Sequence, residues 1–396
     1  MTAEDAAARL GVSRATLYAY VSRGHVRSQA TAGPSRSRSY AREDIERLRQ
    51  RTEGRRDPEK AAAGALRWGV PVLESAITLI DGNRFYYRGH DAVTLARTRS
   101  VEEVAALIWT GSFQPPILRS GRPRTARNDG RRVVRIGFVG RAQQALAREA
   151  AEDPRALDLR PEHVVPTGLD ILGTVVAAAT GSRPKETSID AALGRAWDVN
   201  DRAIGIIRAA LILCADHELN VSSFTARCIA SAGSSPYAVV IGGLAALEGT
   251  KHGGASARVE AMLESLRRSR DLPAAIAARL ARGESLDGFG HPLYPDGDPR
   301  AQALFDLLRA FHAKSTELAF GLAVARSAAD AGRGHPNLDF ALACVGRVLR
   351  LPPGAPLVIF AIGRTIGWIG HAIEQYATGQ LIRPRARYVG DRPARM

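Results

Sequence analysis

Three histidines and an aspartate with proton-transfer chemistry stand where loop signals meet helical patterns, positions from which a side chain can face a cleft. In Cys-Ala-Asp-His-Glu-Leu-Asn-Val-Ser-Ser-Phe-Thr-Ala-Arg (214–227), His217 ends one apolar helix and Asn220 to Ser223 begin the next. A histidine at a helix end is, taken alone, more often structural than ligand-binding. His252 in Gly-Thr-Lys-His-Gly-Gly-Ala (249–255) precedes two glycines that allow close backbone approach, then a long helix whose start favours a nearby anion. His291 lies on the proline-stiffened loop Asp-Gly-Phe-Gly-His-Pro-Leu-Tyr-Pro-Asp-Gly-Asp-Pro-Arg (287–300), in which Asp298-Pro299 reads as an N-cap plus first helical residue. Arg300 therefore falls in a first turn, where a cation is disfavoured by about 0.3 kcal/mol or more and implies an anionic partner, either a ligand or Asp298 itself. Asp339 follows the expected N-cap Asn337 in His-Pro-Asn-Leu-Asp-Phe (335–340), where its simplest role is to complement the helix dipole. Arg364 interrupts the apolar helix Val358 to Ile373, and a buried guanidinium needs a carboxylate from the protein or a ligand. Arg383-Pro384-Arg385 follows the helix-ending Gly379. The set combines acid–base groups with carboxylate-binding cations.

The elements that position these residues are mainly helical. A chain of 396 residues predicts two or three domains. Periodicity near 3.6 marks helices such as Val101–Thr110 and Ala203–Leu213, whereas Ser75–Tyr87 reads as short extended pieces leading into Arg-Gly-His. An Arg/Pro/Gly-rich stretch from Pro115 to Arg135 reads as a loop, and 53–65 as a linker. The apolar run Leu357–Ile373 carries Arg364, so it is expected to be a core helix and no membrane partner is expected. Residues 1–30 lack a signal peptide's apolar stretch, and Cys214, Cys228 and Cys344 match no disulfide or metal spacing; a reducing cytoplasm follows as the expectation.

Residues 2–9 and 13–21 read as two short helices joined by Leu10-Gly11-Val12, capped by Thr2 and Ser13, with Ala6, Leu10, Leu17 and Val21 on the apolar side. A Gly/Ser/Arg stretch (33–39) and a third helix, Glu43 to Arg51, follow. This helix-turn-helix pattern resembles the MerR or excisionase type of winged helix, whose second helix enters the DNA major groove. Arg14, Thr16, Tyr18 and Arg23 are then the candidate DNA-binding residues. Seven arginines and no acidic residue lie between Arg9 and Arg42, and the net charge is +15. Such a surface suits phosphates, although a solvated basic face in an arginine-rich chain gives the same count.

From Leu66 to Gly390 the order of motifs resembles the citrate synthase family. The stretches that carry the resemblance are Tyr-Arg-Gly-His-Asp (87–91), Asp-His-Glu-Leu-Asn-Val-Ser-Ser (216–223), His-Gly-Gly-Ala (252–255), Gly-Phe-Gly-His with Asp-Pro-Arg (288–300), and Arg-Thr-Ile-Gly-Trp-Ile (364–369). The resemblance implies a large helical domain (66–259 and 351–396) and a small one (260–350), behind the winged helix-turn-helix-like domain of residues 1–52. It implies Asp339, His252 and His291 as catalytic residues: Asp339 would take a methyl proton from acetyl-CoA, His252 would hold the thioester oxygen, and His291 would polarise the oxo group of oxaloacetate. His217, Asn220, Arg300 and Arg364 would bind oxaloacetate, with Arg383 donated across a homodimer. No metal or cofactor is implied, acetyl-CoA being a substrate. Departures are Pro292 in place of a basic residue, Lys251 in place of an apolar one, Ser256 in place of asparagine, and 161–168 lacking a His-Pro-Met pattern. They bear on substrate choice, leaving 2-methylcitrate synthesis from propionyl-CoA, or a metabolite-sensing DNA-binding regulator, as the alternatives.

Overall fold

Thr2 and Ser13 cap the helices as their sequence positions predict: their hydroxyls accept the N–H groups of Asp5 and Thr16, starting α1 (Ala3–Leu10) and α2 (Arg14–Ser22). Gly11 ends α1 at φ 63°, a left-handed conformation that glycine adopts without cost. A computed structural model of the chain describes residues 1–30, 38–42, 44, 45, 48, 73–114, 137–181 and 188–391. It comprises two units, Met1–Glu74 and Ser75–Met396. Of the third N-terminal helix only Arg42, Asp44, Ile45 and Leu48 are described, all helical. The linker 53–65 and the stretch Pro115–Arg135 lie outside the described residues.

In the first unit, β1 (Ser28–Ala30) pairs antiparallel with β2 (Arg38–Tyr40), Ser28 opposite Tyr40, supplying the wing. Ala6, Leu10, Leu17, Val26, Tyr40 and Ile45 close its core. Two arginines of the basic run are engaged inside the unit, Arg27 through Nε with Asp44 at 2.9 Å and Arg14 with Glu4 at 2.8 Å, which trims the cationic surface read from the sequence.

The second unit begins with the extended pieces expected before Arg-Gly-His. β3 (Thr78–Asp81), β4 (Arg84–Tyr87) and β5 (His90–Asp91) form an antiparallel three-stranded sheet. Helices follow: α3 (Ala92–Thr98), α4 (Val101–Thr110), α5 (Phe138–Glu152), α6 (Pro161–Thr180), α7 (Ile189–Ala196), α8 (Asp201–Cys214), α9 (Val221–Ser231), α10 (Pro236–Glu248), α11 (Gly254–Arg267), α12 (Leu272–Ala281), α13 (Pro299–His312), α14 (Thr316–Asp330), α15 (Leu338–Val348) and α16 (Ala355–Thr378).

The long helix α16 is the core helix that its interrupted apolar run predicts, with 89% of its most apolar window buried against α4, α6, α8, α9 and α10. Gly363 and Gly367 make that packing close, because a Cβ at either would collide with the carbonyls of Leu211 and Ala215 at the end of α8. The close approach brings Arg364 to the end of α8, where its Nε donates to Cys214 O at 2.9 Å.

That turn is anchored from behind. Asp216, fully buried, accepts the Thr78 hydroxyl at 2.6 Å and lies 3.1 Å from His371 Nε2 of α16. Burial alone would raise its carboxyl, but His371 and Arg364 outweigh that and hold it below the usual range. The buried Tyr87 hydroxyl accepts the Asp216 N–H at 3.2 Å, so the sheet, the α8–α9 turn and α16 lock together beneath His217.

Candidate active site

His217, His291 and Tyr294 pack as one aromatic cluster. The His217 and His291 ring centroids are 5.1 Å apart, and the His217 Nε2 lies 2.9 Å from the Tyr294 hydroxyl. The His291 loop is rigid for a definable reason. Gly288 O accepts the Asn337 N–H at 2.9 Å and Gly290 N–H donates to His335 O at 2.8 Å, so the loop is hydrogen-bonded to the segment that opens α15. Gly288 adopts φ 90° and sits where a Cβ would press on Phe340, a position open only to glycine. His291 Nδ1 accepts the Leu293 N–H at 3.2 Å, which in the neutral ring leaves the proton on Nε2 as an outward donor.

Arg300 resolves the choice posed by its first-turn position. Its Nε and Nη2 donate to the two oxygens of Asp298 at 2.9 and 2.8 Å, in a pair buried on both sides. Asp298 Oδ2 also accepts the Leu338 N–H at 3.1 Å, tying α13 to the start of α15. Breaking such a pair would leave an uncompensated buried charge, which makes it a fixed part of the framework.

His252 lies in the turn before α11. Its Nε2 is 2.8 Å from the Ser222 hydroxyl, which is also 2.8 Å from Asn220 Oδ1 and can turn its single proton to either acceptor. Asn220 is the N-cap of α9, its Oδ1 accepting the N–H groups of Ser222 and Ser223. Its Nδ2 is buried with no hydrogen-bond partner within the fold. Arg364 is in the same condition: Nε donates to Cys214 O at 2.9 Å, while Nη1 is buried and unpartnered. The Arg364 guanidinium lies 4.8 Å from the Phe360 ring centroid, and His252 meets that ring edge-on at 5.8 Å. A buried donor without an acceptor costs about 1–3 kcal/mol, so an oxygen placed between these two donors would stabilise both.

Asp339 stands in the first turn of α15, half-buried, with Asn337 capping the helix as expected. Its Oδ1 accepts the Ser256 hydroxyl at 2.6 Å. Ser256 is one turn beyond His252, so a single stretch of backbone carries a histidine and the side chain that holds a carboxylate.

Burial governs the protonation states. Desolvation, helped by Arg364, pushes His252 down to about 4; desolvation, helped by Arg300, pushes His291 down to about 4. His217 falls well below its usual value for the same reasons. Desolvation raises Asp339 above the ordinary carboxylate range, with Ser256 and Arg300 opposing it. The site thus offers neutral imidazole donors beside a carboxylate made more basic than usual, the combination needed to remove a proton next to a carbonyl.

Comparison with known proteins places the second unit in a family. The family profile described as "Citrate synthase, C-terminal domain" matches residues 64–117 and 153–385. The chain belongs to the citrate synthase family. A separate profile, "Helix-turn-helix domain", matches residues 1–52. Citrate synthase of Haloferax volcanii is 30% identical over 364 residues, covering 82% of this chain and 95% of that protein. The 2-methylcitrate synthase of Shewanella oneidensis is 28% identical over 381 residues, covering 86% and 98%. Citrate synthase 2 of Bacillus subtilis is 38% identical over 184 residues, covering 46% of this chain and 50% of that relative, so this match spans half the relative's length. The same holds for matches with mycobacterial relatives, which cover 53% of each. The crystal structure of citrate synthase from Thermotoga maritima superposes with TM-score 0.69 at 26% identity, covering 83% of this chain and 96% of that one.

Of the residues singled out by the citrate synthase resemblance, His217, Asn220, His252, His291, Arg300, Asp339 and Arg364 converge on this one region. Arg383 does not: it is exposed on the coil that follows α16, and the site is built without it. In the N-terminal unit Arg23 is exposed, Tyr18 is 51% exposed, Thr16 is bonded to Ser13, and Arg14 is engaged by Glu4. Sequence reasoning missed Tyr294, Ser222 and Phe360. A tyrosine between prolines on a rigid loop is the only signal for Tyr294, Ser222 is marked only by its place in the 216–223 motif, and nothing local marks Phe360.

Proposed function

We propose that the protein condenses acetyl-CoA with oxaloacetate and hydrolyses the resulting thioester, releasing citrate and CoA. The observation that carries this reading is the bridge from His252 through α11 and Ser256 to Asp339, which sets an oxyanion donor and a base at fixed positions. In the first step Asp339 takes a proton from the thioester methyl group while His252 donates a hydrogen bond to the thioester oxygen. When the Ser222 hydroxyl turns its proton to His252 Nε2, the ring keeps its own proton on Nδ1 for that purpose. The enol carbon then attacks the oxo carbon of oxaloacetate, and His291, with its proton on Nε2, supplies it to the new alkoxide. Arg364 Nη1 and Asn220 Nδ2, both lacking acceptors within the fold, would meet the carboxylates together with His217 and with Nη1 of Arg300, whose Nε and Nη2 stay on Asp298. Water then cleaves the thioester in the same site, with no cofactor beyond the acyl-CoA substrate.

Closure of residues 260–350 over 66–259 and 351–396 would shut out water before condensation. A citrate synthase and a 2-methylcitrate synthase match the chain about equally, at 30% and 28% identity, and one methylene in an apolar pocket discriminates by only about 1–3 kcal/mol. A panel of acetyl-CoA and propionyl-CoA against oxaloacetate and related 2-oxo acids, followed by CoA thiol release, tests the reading. Faster turnover of propionyl-CoA would move the assignment to 2-methylcitrate synthesis, and no release with any pair would remove it.

Arg383 serves the neighbouring subunit's site in a homodimer. Its exposure beyond Gly379, beside the exposed Leu381, supports this. Arg383→Ala is expected to lower kcat/KM for oxaloacetate about tenfold to a hundredfold, in line with loss of one charge-assisted contact. Mixing Arg383→Ala with an Asp339→Ala chain should restore part of the activity through hybrid dimers; no restoration contradicts donation across the interface.

The N-terminal unit supports a second role, contact with duplex DNA, because a helix-turn-helix with a wing presents α2 with Tyr18 and Arg23 exposed. Affinity should fall steeply as salt rises, and Arg23→Ala should reduce the slope of log K against log salt by about one. Affinity independent of salt would sink this reading. An operator affinity altered by oxaloacetate or CoA would mark a metabolite-sensing regulator.

A further inference from the structure

Ser256 is fully buried in the first turn of α11. A buried helical serine ordinarily satisfies its hydroxyl on a carbonyl one turn back. Here the hydroxyl instead reaches across 83 residues to Asp339 Oδ1 at 2.6 Å, the length of a charge-assisted bond. Four residues earlier the same backbone carries His252, whose Nε2 is held by Ser222. The two groups assigned to enolisation are therefore each gripped by a serine, and one short stretch of helix start fixes their separation.

We propose that Ser256 is a positioning residue for the base, fixing Oδ1 of Asp339 so that Oδ2 is the oxygen presented to the substrate's methyl proton. The inference rests on the reading of Asp339 as base. Asp339 is mounted on α15, whereas the oxyanion donor is mounted before α11, and the Ser256 bond joins the two elements at the reacting groups. A carboxylate is free to rotate about its Cβ–Cγ axis; with one oxygen pinned by a buried donor, the lone pairs of the other keep one direction.

The groups that face Asp339 besides Ser256 are Arg300, Asp298 and Arg258, and they are unchanged by a substitution at position 256. A hydrogen bond donated to a carboxylate favours its charged form. Its removal therefore raises the pH at which the base becomes protonated, and the acidic limb of the kcat profile moves upward.

The test is the pH dependence of CoA release by wild type, Ser256→Ala, Ser256→Thr and Ser256→Cys, with oxaloacetate affinity measured separately. Ser256→Ala should shift the acidic limb up by about one to two units and lower the plateau about tenfold, with oxaloacetate affinity unchanged. Ser256→Thr, which keeps the hydroxyl, should return the limb toward wild type. Ser256→Cys, a weaker donor of similar volume, should fall between. An active Ser256→Ala enzyme with an unmoved limb overturns this inference alone, whereas a wild-type chain that releases no CoA overturns the reading of Asp339 beneath it.

Discussion

Asp339→Ala is expected to lower CoA release from acetyl-CoA and oxaloacetate by about 10³-fold or more while the protein still folds and still binds oxaloacetate. The size follows from the chemistry of the step. A thioester methyl group is a weak carbon acid, and a water-exposed carboxylate is a poor base for it. Asp339 is improved for the task by desolvation, which raises its proton affinity, and by the Ser256 bond that orients it. Alanine removes the base and leaves His217, Arg300 and Arg364 in place, so oxaloacetate affinity by calorimetry should change little. Turnover within tenfold of wild type would rule out Asp339 as the base.

His252→Ala is expected to cost about 10²- to 10³-fold in kcat, the range for loss of one preorganised oxyanion donor. Its pH dependence carries a definite sign. Burial pushes His252 down to about 4, below its ordinary 6.5, so the neutral donor form persists through the whole range above about pH 5. In the unfolded chain the same ring protonates near 6.5, so the unfolded state binds more protons between 6.5 and 4. The contribution of the folded-state histidine is thus fully present above 6.5 and is lost as pH falls through that window. Chemical denaturation of wild type and His252→Ala at pH 7 and pH 5 checks this. The substituted chain should lose less stability on acidification, and an equal loss in both would contradict the burial of that ring.

How much could be read from the residues alone follows the range of the interactions. Caps are local, and Thr2, Ser13, Asn220, Asp298 and Asn337 all stand where the sequence places them. The α16 core helix, from its apolar run, and the extended pieces leading into Arg-Gly-His are legible for the same reason. The partner of Arg300 was legible only as a choice, and the structure resolves it to Asp298, two residues away. What no local pattern encodes is pairing across the chain. His217 meets Tyr294 over 77 positions, Ser222 meets His252 over 30, and Asp216 meets His371 over 155. The last of these depends on how α16 seats against α8, and that depends in turn on Gly363 and Gly367, which read in sequence only as weak helix formers. Convergence of the motif residues on one site was anticipated through the family resemblance. The means by which they are held was not.

The most direct test of the central claim follows the carbon–carbon bond. Acetyl-CoA carrying ¹³C in its methyl group is incubated with oxaloacetate and the full-length protein, and the product is identified by carbon NMR and mass spectrometry. The account predicts that the label appears in a methylene group of citrate, with one CoA thiol released per label transferred and none by Asp339→Ala. Label recovered as acetate or as unreacted thioester would contradict it.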